Sequence, residues 1–484
     1  MRIAHLPSSY FPDSLGGTEV YVRSLCDELQ QLGHATAVVW HSETTDGLPE
    51  RAFTLQPIEP LRRSHIYTRF TGQEPRGFRE LLREWQPDVV HFHAFTLGAG
   101  GDHAECCRRR KIPYVITYHT PAMSCARGTM LRWGDKLCDG RIDAGRCAAC
   151  SLQSRGWPRA LARLASLSPA PHRMLPDSPL LPRIALPSIL AEANAAWKRF
   201  FMGAQTVIAC AEFCRDVLIA NGVPAERIAL ERQALPGEDR LRTLRLPLPR
   251  STQLRIGYFG RITAVKGPEL LIPLVGQLRA GGIAVEGEWV GPLDGDRRWA
   301  EAIFAAAAPA VRYAGVKHGI ELAAWIRGRD LIVIPSQTLE TGPLTLLEAW
   351  NEGTPVIGSD RGGIRDFMLA NGLAECLFPV GDTDAIAAAV RRMLDWNRAA
   401  PVVRVPGMRS LAERMLAVYE GACAGVDESE GDIAAFTGSG IRENSGGGSL
   451  AEPDVTRSLL RPGPDFSESQ VQEEPDFSRS QLRE

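Results

Sequence analysis

Short apolar runs alternate with longer amphipathic segments through the first half of the chain. The segment Thr18–Leu32 has the apolar spacing of a helix. Apolar runs of strand length lie at Ile3–Leu6, Ala35–Trp40, Pro87–His93, Pro113–His119 and Thr206–Cys210. Strands that alternate with helices favour a parallel, doubly wound sheet. The pattern therefore predicts an α/β domain over residues 1–240.

A second series of the same kind begins near residue 250. It predicts strands at Leu254–Gly260, Ile283–Val290, Val311–Ala314, Leu331–Pro335 and Pro355–Ser359, and helices at Ile320–Arg327 and Thr383–Leu394. We expect a second α/β domain over residues 250–407, followed by a C-terminal helix at 408–424. The stretch 236–252 is rich in Pro, Arg and Leu, which is typical of an interdomain linker.

Two segments break the alternation. An insert over about residues 121–155 holds four cysteines, and a Pro/Leu-rich connector over about 156–190 follows it. The insert and connector are expected either to cover an acceptor site or to touch a membrane surface. Residues 425–484 are rich in Gly, Ser, Glu and Asp, so we predict a disordered tail. Its weak repeat, with units at Pro453, Pro464 and Pro475, is as consistent with a spacer as with docking motifs.

Length and charge narrow the class of protein. A chain of 484 residues is too long for one core, and a net charge of −2 gives no field that would favour nucleic acid. The apolar runs are too short to span a membrane, and the start lacks a signal peptide's long apolar region. We expect a cytoplasmic protein. The run Arg108–Lys111 is either a solvated surface or a peripheral contact with the inner face of a membrane.

Two carboxylates stand on either side of a predicted helix start. Glu340 lies in the loop after the strand Leu331–Pro335, and Glu348 lies inside the helix that Gly342 and Pro343 open. Proline suits the first turn of a helix because its missing N–H costs nothing there. If the strands are parallel, both acids lie at their carboxyl ends, where open α/β sheets bind ligands.

Further candidate residues follow other predicted strands. Gly16-Gly17 lets the backbone approach a phosphate at a helix start, although Gly-Gly turns are common. Arg261 and Lys266 follow the first strand of the second domain, where a planar fork and a flexible point charge can together neutralise a diphosphate. His119 follows another strand and suits a hydrogen bond to a sugar hydroxyl or the steering of charge. A lone histidine is more often structural, and an Arg and a Lys are often only surface residues, but the position of Arg261 and Lys266 at a strand's carboxyl end favours phosphate binding.

Taken together, these motifs resemble the retaining glycosyltransferases of family four, known as glycosyl transferases group 1. The resemblance rests on the order Gly-Gly turn, His-Thr-Pro, Gly-Arg-x4-Lys-Gly, Glu-x7-Glu and Gly-Thr-Pro-Val-Ile-Gly-Ser, and covers roughly residues 1–419. It implies the GT-B fold, in which two Rossmann-like domains face a central cleft. It also implies transfer of a sugar from a nucleotide-diphosphate sugar to a glycan or lipid-linked acceptor.

The resemblance also implies roles for the candidate residues. Arg261 and Lys266 would hold the diphosphate and stabilise it as it leaves. Glu340 would lie against the donor sugar, Glu348 would bind the ribose hydroxyls, and His119 would lie beside the donor sugar. The remaining donor contacts would come from the backbone of Gly16, Gly17, Gly342, Pro343 and Leu344. No metal is expected to be required for transfer, because the Arg–Lys pair neutralises the charge.

The sequence departs from the family pattern at two places. The segment Ala229–Gly237 stands where the family usually carries Pro-Asn-Gly-Val, at the predicted contact between the domains. The triplet Thr341-Gly342-Pro343 stands where an aromatic residue and a glycine are common after the first glutamate. We expect the backbone contacts at both places to differ from the family pattern.

The cysteines of the insert form a separate candidate site. Their spacing is Cys125-x12-Cys138-x8-Cys147-x2-Cys150. A Cys-x2-Cys pair with two more cysteines nearby can place four thiolates around one tetrahedral ion. We favour a structural zinc over four unliganded thiols, and rank an iron–sulfur cluster below zinc.

Two other functions remain open for the whole chain. One is a GT-B nucleotide-sugar epimerase, which would lack the Glu-x7-Glu and Arg-x4-Lys arrangement seen here. The other is a sugar-nucleotide-binding or metal-sensing protein without transfer activity, which would not need Arg261, Lys266, Glu340 and Glu348 together.

Overall fold

The computed structural model describes residues 1–428 except 12, 15, 42–51, 56–61, 135, 168–171, 179, 251–252 and 295–296. The described chain forms two parallel β-sheets, one of seven strands and one of six, each packed against helices. This architecture confirms the predicted α/β class. The predicted disordered tail and its repeat units lie outside the described residues from 429 onward.

The first sheet and its helices come from the first 230 residues. The strands are β1 (Arg2–Leu6), β2 (Ala35–His41), β3 (Ala52–Leu55), β4 (Val89–Phe92), β5 (Tyr114–Tyr118), the short hairpin β6 (Leu131–Arg132) and β7 (Lys136–Leu137), β8 (Thr206–Ala209) and β9 (Ile228–Leu230). The helices are α1 (Gly17–Gln31), α2 (Arg63–Thr68), α3 (Arg76–Trp85), α4 (Gly101–Arg109), α5 (Ala144–Ser154), α6 (Arg159–Ala165), α7 (Leu181–Ile184), α8 (Leu186–Met202) and α9 (Glu212–Ala220).

The strand order of the first sheet is β3-β2-β1-β4-β5-β8-β9. Strands β4 and β5 are buried at every residue, as is usual for parallel strands covered on both faces. This order places β4 between β1 and β5, so the residues at the three carboxyl ends meet although β1 is more than 80 residues from β4 in sequence.

The strands and helices after residue 235 form the second sheet, its helices and a separate two-stranded sheet made of the first and last strands in this part of the chain. The strands are β10 (Arg240–Thr243), β11 (Leu254–Phe259), β12 (Val285–Val290), β13 (Val311–Tyr313), β14 (Leu331–Ile334), β15 (Val356–Ser359), β16 (Leu377–Phe378) and β17 (Val402–Val405). The helices are α10 (Leu271–Ala280), α11 (Arg297–Ala307), α12 (Gly319–Arg327), α13 (Leu344–Asn351), α14 (Gly362–Ala370), α15 (Thr383–Leu394) and α16 (Met408–Glu428). The sheet order β13-β12-β11-β14-β15-β16 places β11 and β14 side by side.

The structure adds detail to two of the predicted connections. The stretch predicted as a linker contains β10, which pairs antiparallel with β17. Its sequence, Arg-Leu-Arg-Thr, has one apolar residue and therefore gives no alternating pattern that would predict a strand. The C-terminal helix α16 continues to Glu428, four residues into the predicted tail, and packs on α1 of the first domain. Met415 and Tyr419 are fully buried there beside Val22 and Leu25.

The cysteine-rich insert has regular structure of its own. It contains the β6–β7 hairpin and α5, and α5 packs against both α6 and α8. A small apolar cluster that includes Ala148, Leu152 and Leu186 holds these helices together. The predicted connector is therefore helical in part, because α7 and the first turns of α8 lie within it. Every described helix is too short or too polar to cross a bilayer.

Candidate functional site

The loop between β14 and α13 brings Glu340 to Lys266. The Lys266 Nζ lies 2.7 and 2.8 Å from the two carboxylate oxygens of Glu340, and the Ser336 hydroxyl donates to the same carboxylate at 2.5 Å. Burial alone would raise the pKa of Glu340, but the Lys266 charge and these hydrogen bonds together lower it. Glu340 is therefore a carboxylate at neutral pH, with Lys266 as its counter-ion.

The glycine pair at the start of α14 supports this loop from behind. The Gly363 N–H donates to the Glu340 carbonyl at 2.7 Å. A Cβ on Gly363 would meet the same carbonyl at 2.9 Å, and Gly362 has a φ of +54° that L side chains rarely adopt. Glycine is thus required at both positions if the loop is to lie this close to the helix start.

Arg261 lies at the end of β11 and is largely exposed. Its side chain is 61 % exposed, and its guanidinium donates to Asp294 at 2.8 Å. The Tyr258 hydroxyl donates to the Arg261 carbonyl at 2.7 Å and fixes the backbone there. Sequence reasoning missed Asp294, which follows β12 and carries no motif. A carboxylate at this position keeps the arginine oriented without burying its charge.

Glu348 lies inside α13, as predicted. Burial raises the pKa of its carboxyl from 4.5 to about 7. The helix begins at Leu344 with Pro343 as its N-cap, one residue before the predicted first-turn position. Burying an ionisable side chain disfavours its charged form, so Glu348 lowers the stability of the folded protein when it is ionised. Packing alone gives no reason for a glutamate at this position.

The two domains meet around this loop. The Thr341 hydroxyl donates to the His119 carbonyl, and a Cβ on Gly342 would overlap the Gln233 side chain at 1.8 Å. A Cβ on Gly17 would lie 3.5 Å from Leu344, so the Gly-Gly turn of the first domain faces the start of α13. The structure therefore brings the predicted residues of the first domain to those of the second.

A buried carboxylate also lies at the Gly-Gly turn. Glu19, in the first turn of α1, is 5 % exposed and accepts a hydrogen bond from the Ser9 hydroxyl at 2.7 Å. A Cβ on Gly16 would meet its carboxylate at 2.5 Å, so Glu19 occupies the space next to the turn. Sequence reasoning missed Glu19. Its charge limits how closely a phosphate can approach this helix start.

His119 is at the predicted place but is not charged. It is 7 % exposed, and burial lowers its pKa to about 3. Its Nε2 lies 3.0 Å from His93 Nδ1, and its Nδ1 lies 3.2 Å from Gln233 Nε2. Of the two roles considered for it, a neutral hydrogen-bonding group fits this environment, whereas steering by a positive charge does not.

Three further histidines of the first domain lie near His119. His91 of β4 and His93, which directly follows β4, have ring centroids 3.9 Å apart. His5 of β1 lies in register with His91 and contacts His93. Sequence reasoning missed His5, because only the strand order places β1 beside β4. Each of His5, His91 and His93 offers one ring nitrogen that could bind a metal ion, and these three nitrogens lie within 4.8 Å of one another.

All four cysteines of the insert line one small cavity of about 30 Å³. All four are partly exposed free thiols, and the Trp133 N–H donates to Cys150 Sγ at 3.4 Å. The structure therefore gathers the four predicted ligands, although not within the 4.8 Å limit that the histidine group meets. Four cysteine thiolates are a donor set that zinc prefers in structural sites.

Comparison with known families identifies both halves of the chain. Residues 15–166 match the Glycosyltransferase Family 4 model, and residues 253–395 match the Glycosyl transferases group 1 model. Together the two matches cover more than half of the chain. The second match contains the Lys266–Glu340 pair and Glu348, and the first contains Gly16, Gly17 and His119.

Relatives and solved structures agree with these matches. The GDP-mannose-dependent alpha-mannosyltransferase of Mycobacterium tuberculosis is 27 % identical over 415 residues, which is 83 % of this chain and 91 % of that protein. The amylovoran biosynthesis glycosyltransferase AmsK of Erwinia amylovora is 28 % identical over 211 residues, which is 42 % of this chain and about half (51 %) of AmsK. The crystal structure of Anabaena HepE in complex with UDP has a TM-score of 0.54 at 15 % identity, covering 88 % of this chain and all of HepE.

The fold and the family matches define a two-domain, GT-B glycosyltransferase. The chain belongs to the family-four glycosyltransferases, also described as glycosyl transferases group 1. It is a transferase enzyme, and the matches give no support to the epimerase or to the binding protein without transfer activity.

Proposed function

We propose that this protein transfers a sugar from a nucleotide-diphosphate sugar to a glycan or lipid-linked acceptor with retention of the anomeric configuration. The donor would bind mainly to the domain around residues 250–407, and the acceptor to the domain around residues 1–240. The observation that carries this proposal is the ion pair between Lys266 Nζ and the Glu340 carboxylate at 2.7 Å, beside the exposed guanidinium of Arg261. A diphosphate entering there meets two cations that are held by carboxylates rather than buried.

In this proposal Arg261 and Lys266 bind the donor diphosphate. As the bond between the anomeric carbon and the phosphate oxygen breaks, its electron pair stays on the diphosphate, where these two cations stabilise it. The acceptor oxygen attacks the same face, and its proton passes to a departing phosphate oxygen. Neither Glu340 nor Glu348 acts as a general base, and the two cations make a metal ion unnecessary for this step.

The remaining roles follow from position. Glu340 lies against the donor sugar, Glu348 accepts from the ribose hydroxyls, and the backbone of Gly342, Pro343 and Leu344 completes the donor site. Gly16 and Gly17 face that backbone from the first domain. His119 lies beside the donor sugar as a neutral residue, because burial keeps its pKa far below 7.

Arg261→Ala tests the diphosphate assignment. Removal of a group that stabilises a developing charge is expected to lower kcat by about 10², while the Tm changes little because the side chain is exposed. Arg297→Ala is the matched control, since Arg297 is also an exposed arginine of the second domain paired with a carboxylate. Steady-state kinetics with UDP-, GDP- and ADP-sugar donors and a lipid or polysaccharide fraction measures both variants. Equal kcat in the two variants would contradict the assignment.

A lipid-linked acceptor would bring the protein to a membrane surface. The exposed side chains Leu161, Leu164 and Leu167 on and after α6 favour such a contact. The run Arg108–Lys111 favours it less, because Arg108 and Arg109 pair with Glu105, and Arg110 pairs with Glu74. Flotation with anionic lipid vesicles tests this contact, and a cytoplasmic location remains a prediction.

We also propose that Cys125, Cys138, Cys147 and Cys150 hold a structural zinc rather than an iron–sulfur cluster. Their shared cavity lies directly after the His-Thr-Pro turn, since Cys125 is bonded through its N–H to the Pro121 carbonyl at 2.8 Å. The ion would fix the insert relative to His119 and take no part in transfer.

Elemental analysis of the purified full chain tests the zinc site. About one zinc per chain is expected, and the double variant Cys147→Ser/Cys150→Ser should lose it together with thermal stability. Cys423→Ser is the control, because Cys423 lies outside the insert and donates to the Asp88 carbonyl at 3.5 Å. A metal-free wild-type protein that is stable and active would rule the site out, whereas iron with a visible absorbance would favour the cluster.

A further inference from the structure

The carboxyl ends of three neighbouring strands carry a continuous chain of imidazoles. The Nδ1 of His5, in β1, lies 3.0 Å from the Nε2 of His93, and the Nδ1 of His93 lies 3.0 Å from the Nε2 of His119. His5 and His93 are fully or almost fully buried. We call these three residues, in the order His119–His93–His5, the imidazole chain.

Gln233 closes the imidazole chain at its cleft end. Its amide Nε2 lies 3.2 Å from His119 Nδ1 and also donates to Cys210 Sγ at 3.8 Å. The same side chain fills the space next to Gly342, the first residue of the backbone segment proposed to contact the donor. Gln233 therefore connects the imidazole chain to the loop between β14 and α13 (residues 335–343), which we call the donor loop. Gln233 also lies within the segment that departs from the family's Pro-Asn-Gly-Val pattern.

The direction of the hydrogen bonds follows from Gln233. An amide NH₂ group only donates, so His119 Nδ1 accepts and the proton of the neutral ring is on Nε2. That proton points at His93 Nδ1, so His93 carries its own proton on Nε2 and points it at His5 Nδ1. His5 then carries its proton on Nε2, where the described structure offers it no partner.

The unpartnered Nε2–H of His5 destabilises the folded protein. A buried donor without an acceptor costs about 1–3 kcal/mol. Burial lowers the pKa of His5 and His119 to about 3 and also lowers that of His93 well below its usual value, so no ring gains a second proton near neutral pH. The direction of the chain is therefore set by hydrogen bonding at the Gln233 end and not by charge.

We propose that Gln233, His93 and His5 are positioning residues that hold His119 as its Nε2–H tautomer, with Nδ1 as an acceptor at the donor loop. The proposal rests on the role of His119 in the proposed function. Its main test does not need activity, so failure of the two can be told apart.

Ring-nitrogen NMR of the full chain with ¹⁵N-labelled histidine tests the tautomer. In the wild type we expect His119 Nδ1 to be unprotonated and Nε2 to be protonated, with the signals assigned by His119→Asn. Gln233→Glu offers only acceptor oxygens at neutral pH, so it should reverse the two nitrogens of His119. A protonated Nδ1 in the wild type, or no change in Gln233→Glu, would overturn the proposal.

Kinetics of His93 variants test the same idea independently. His93→Asn keeps an acceptor oxygen near the former Nδ1 position, whereas His93→Leu removes it. We expect His93→Leu to lose at least 10-fold in kcat with little change in the donor KM, and His93→Asn to recover most of that loss. Equal losses in both variants would mean that His93 acts only through packing.

Two further measurements separate the imidazole chain from its alternatives. His91→Leu removes a buried histidine of the same strand that bonds to Thr117 and Tyr419 instead, so it should lower the Tm while leaving the His119 nitrogens and kcat unchanged. A transition metal found in the purified protein and lost in His5→Leu would show a metal site at His5, His91 and His93 and would overturn the proposal.

Discussion

At the scale of single residues, the site is held together by ionisable groups that the fold places at some cost. Lys266 and Glu340 balance each other, Arg261 is held by Asp294, and Glu348 is half-buried where its charge is disfavoured. Groups of this kind concentrate where ligands bind, because a stable fold alone would avoid them. Their arrangement indicates what is bound more directly than it indicates how a proton moves.

Glu348→Gln should make the protein more stable and bind its donor less well. The folded pKa of about 7 lies above the unfolded value of 4.5, so the wild-type carboxyl costs nothing below pH 4.5 and its cost grows as the pH rises to 7. The full cost is at most roughly 3–4 kcal/mol, from about 1.4 kcal/mol for each pKa unit.

Thermal unfolding of both proteins at several pH values measures this effect. The Tm advantage of Glu348→Gln should be small at pH 5, rise towards pH 7 and level off above pH 8, while the Kd for the nucleotide increases. A Tm difference that does not change with pH would mean that the carboxyl of Glu348 is not buried in the native protein.

Sequence motifs marked the candidate residues of this site, but not the residues that contact them. Arg261, Lys266, Glu340 and Glu348 could be found because each follows a predicted strand at a motif spacing. Asp294, Glu19, Gln233 and His5 could not be found in this way. Each acts through a partner that lies at least ten residues away, and nothing in its own neighbourhood marks it.

At the scale of elements, strand and helix positions followed closely from hydrophobic periodicity. The prediction for α15 is confirmed at both ends, and β2, β12 and β14 differ by one or two residues. The agreement ends where the sequence has no hydrophobic pattern. The stretch 236–252 contains the strand β10, which exists because β17 provides a pairing partner more than 150 residues later.

Gly363→Ala should disturb the donor loop through backbone contact alone. The added Cβ would meet the Glu340 carbonyl at 2.9 Å and the Thr341 carbonyl at 3.1 Å, so the loop must move. Overpacking of this kind costs about 1–3 kcal/mol. We expect a lower Tm and a weaker Kd for the donor nucleotide, measured by unfolding and by calorimetry.

Gly276→Ala is the control for that substitution. Gly276 lies inside α10, and a Cβ there would meet nothing within 4 Å. Alanine in a helix interior should raise stability by about 0.5–1 kcal/mol and leave nucleotide binding unchanged. If Gly363→Ala behaved in the same way as Gly276→Ala, the loop would not depend on the close approach of α14.

At the scale of the whole molecule, α16 joins the end of the described chain to its beginning. Its buried residues Met408, Leu411, Met415 and Tyr419 pack with the core of the first domain, and the Tyr419 hydroxyl lies 2.8 Å from His91 Nδ1. The first domain is therefore completed by a helix that follows the second domain in sequence.

Removal of α16 should damage the first domain although the helix follows the second. A chain that ends at residue 407 exposes the apolar face of α1, and we expect a markedly lower Tm or aggregation. A chain that ends at residue 428 is the control and should match the full-length Tm and kcat. If both truncations kept the full-length Tm, the packing of α16 on α1 would contribute nothing to stability.

The sequence by itself determined the fold class, the family and the main donor-site candidates. Periodicity marks strands and helices locally, and the motifs Gly-Arg-x4-Lys-Gly and Glu-x7-Glu fall at strand ends that any parallel sheet brings to one edge. Only the tertiary structure decided which groups touch. Strand order made neighbours of His5, His93 and His119, and domain packing placed Gln233 against Gly342, because contacts between distant segments depend on topology and not on local spacing.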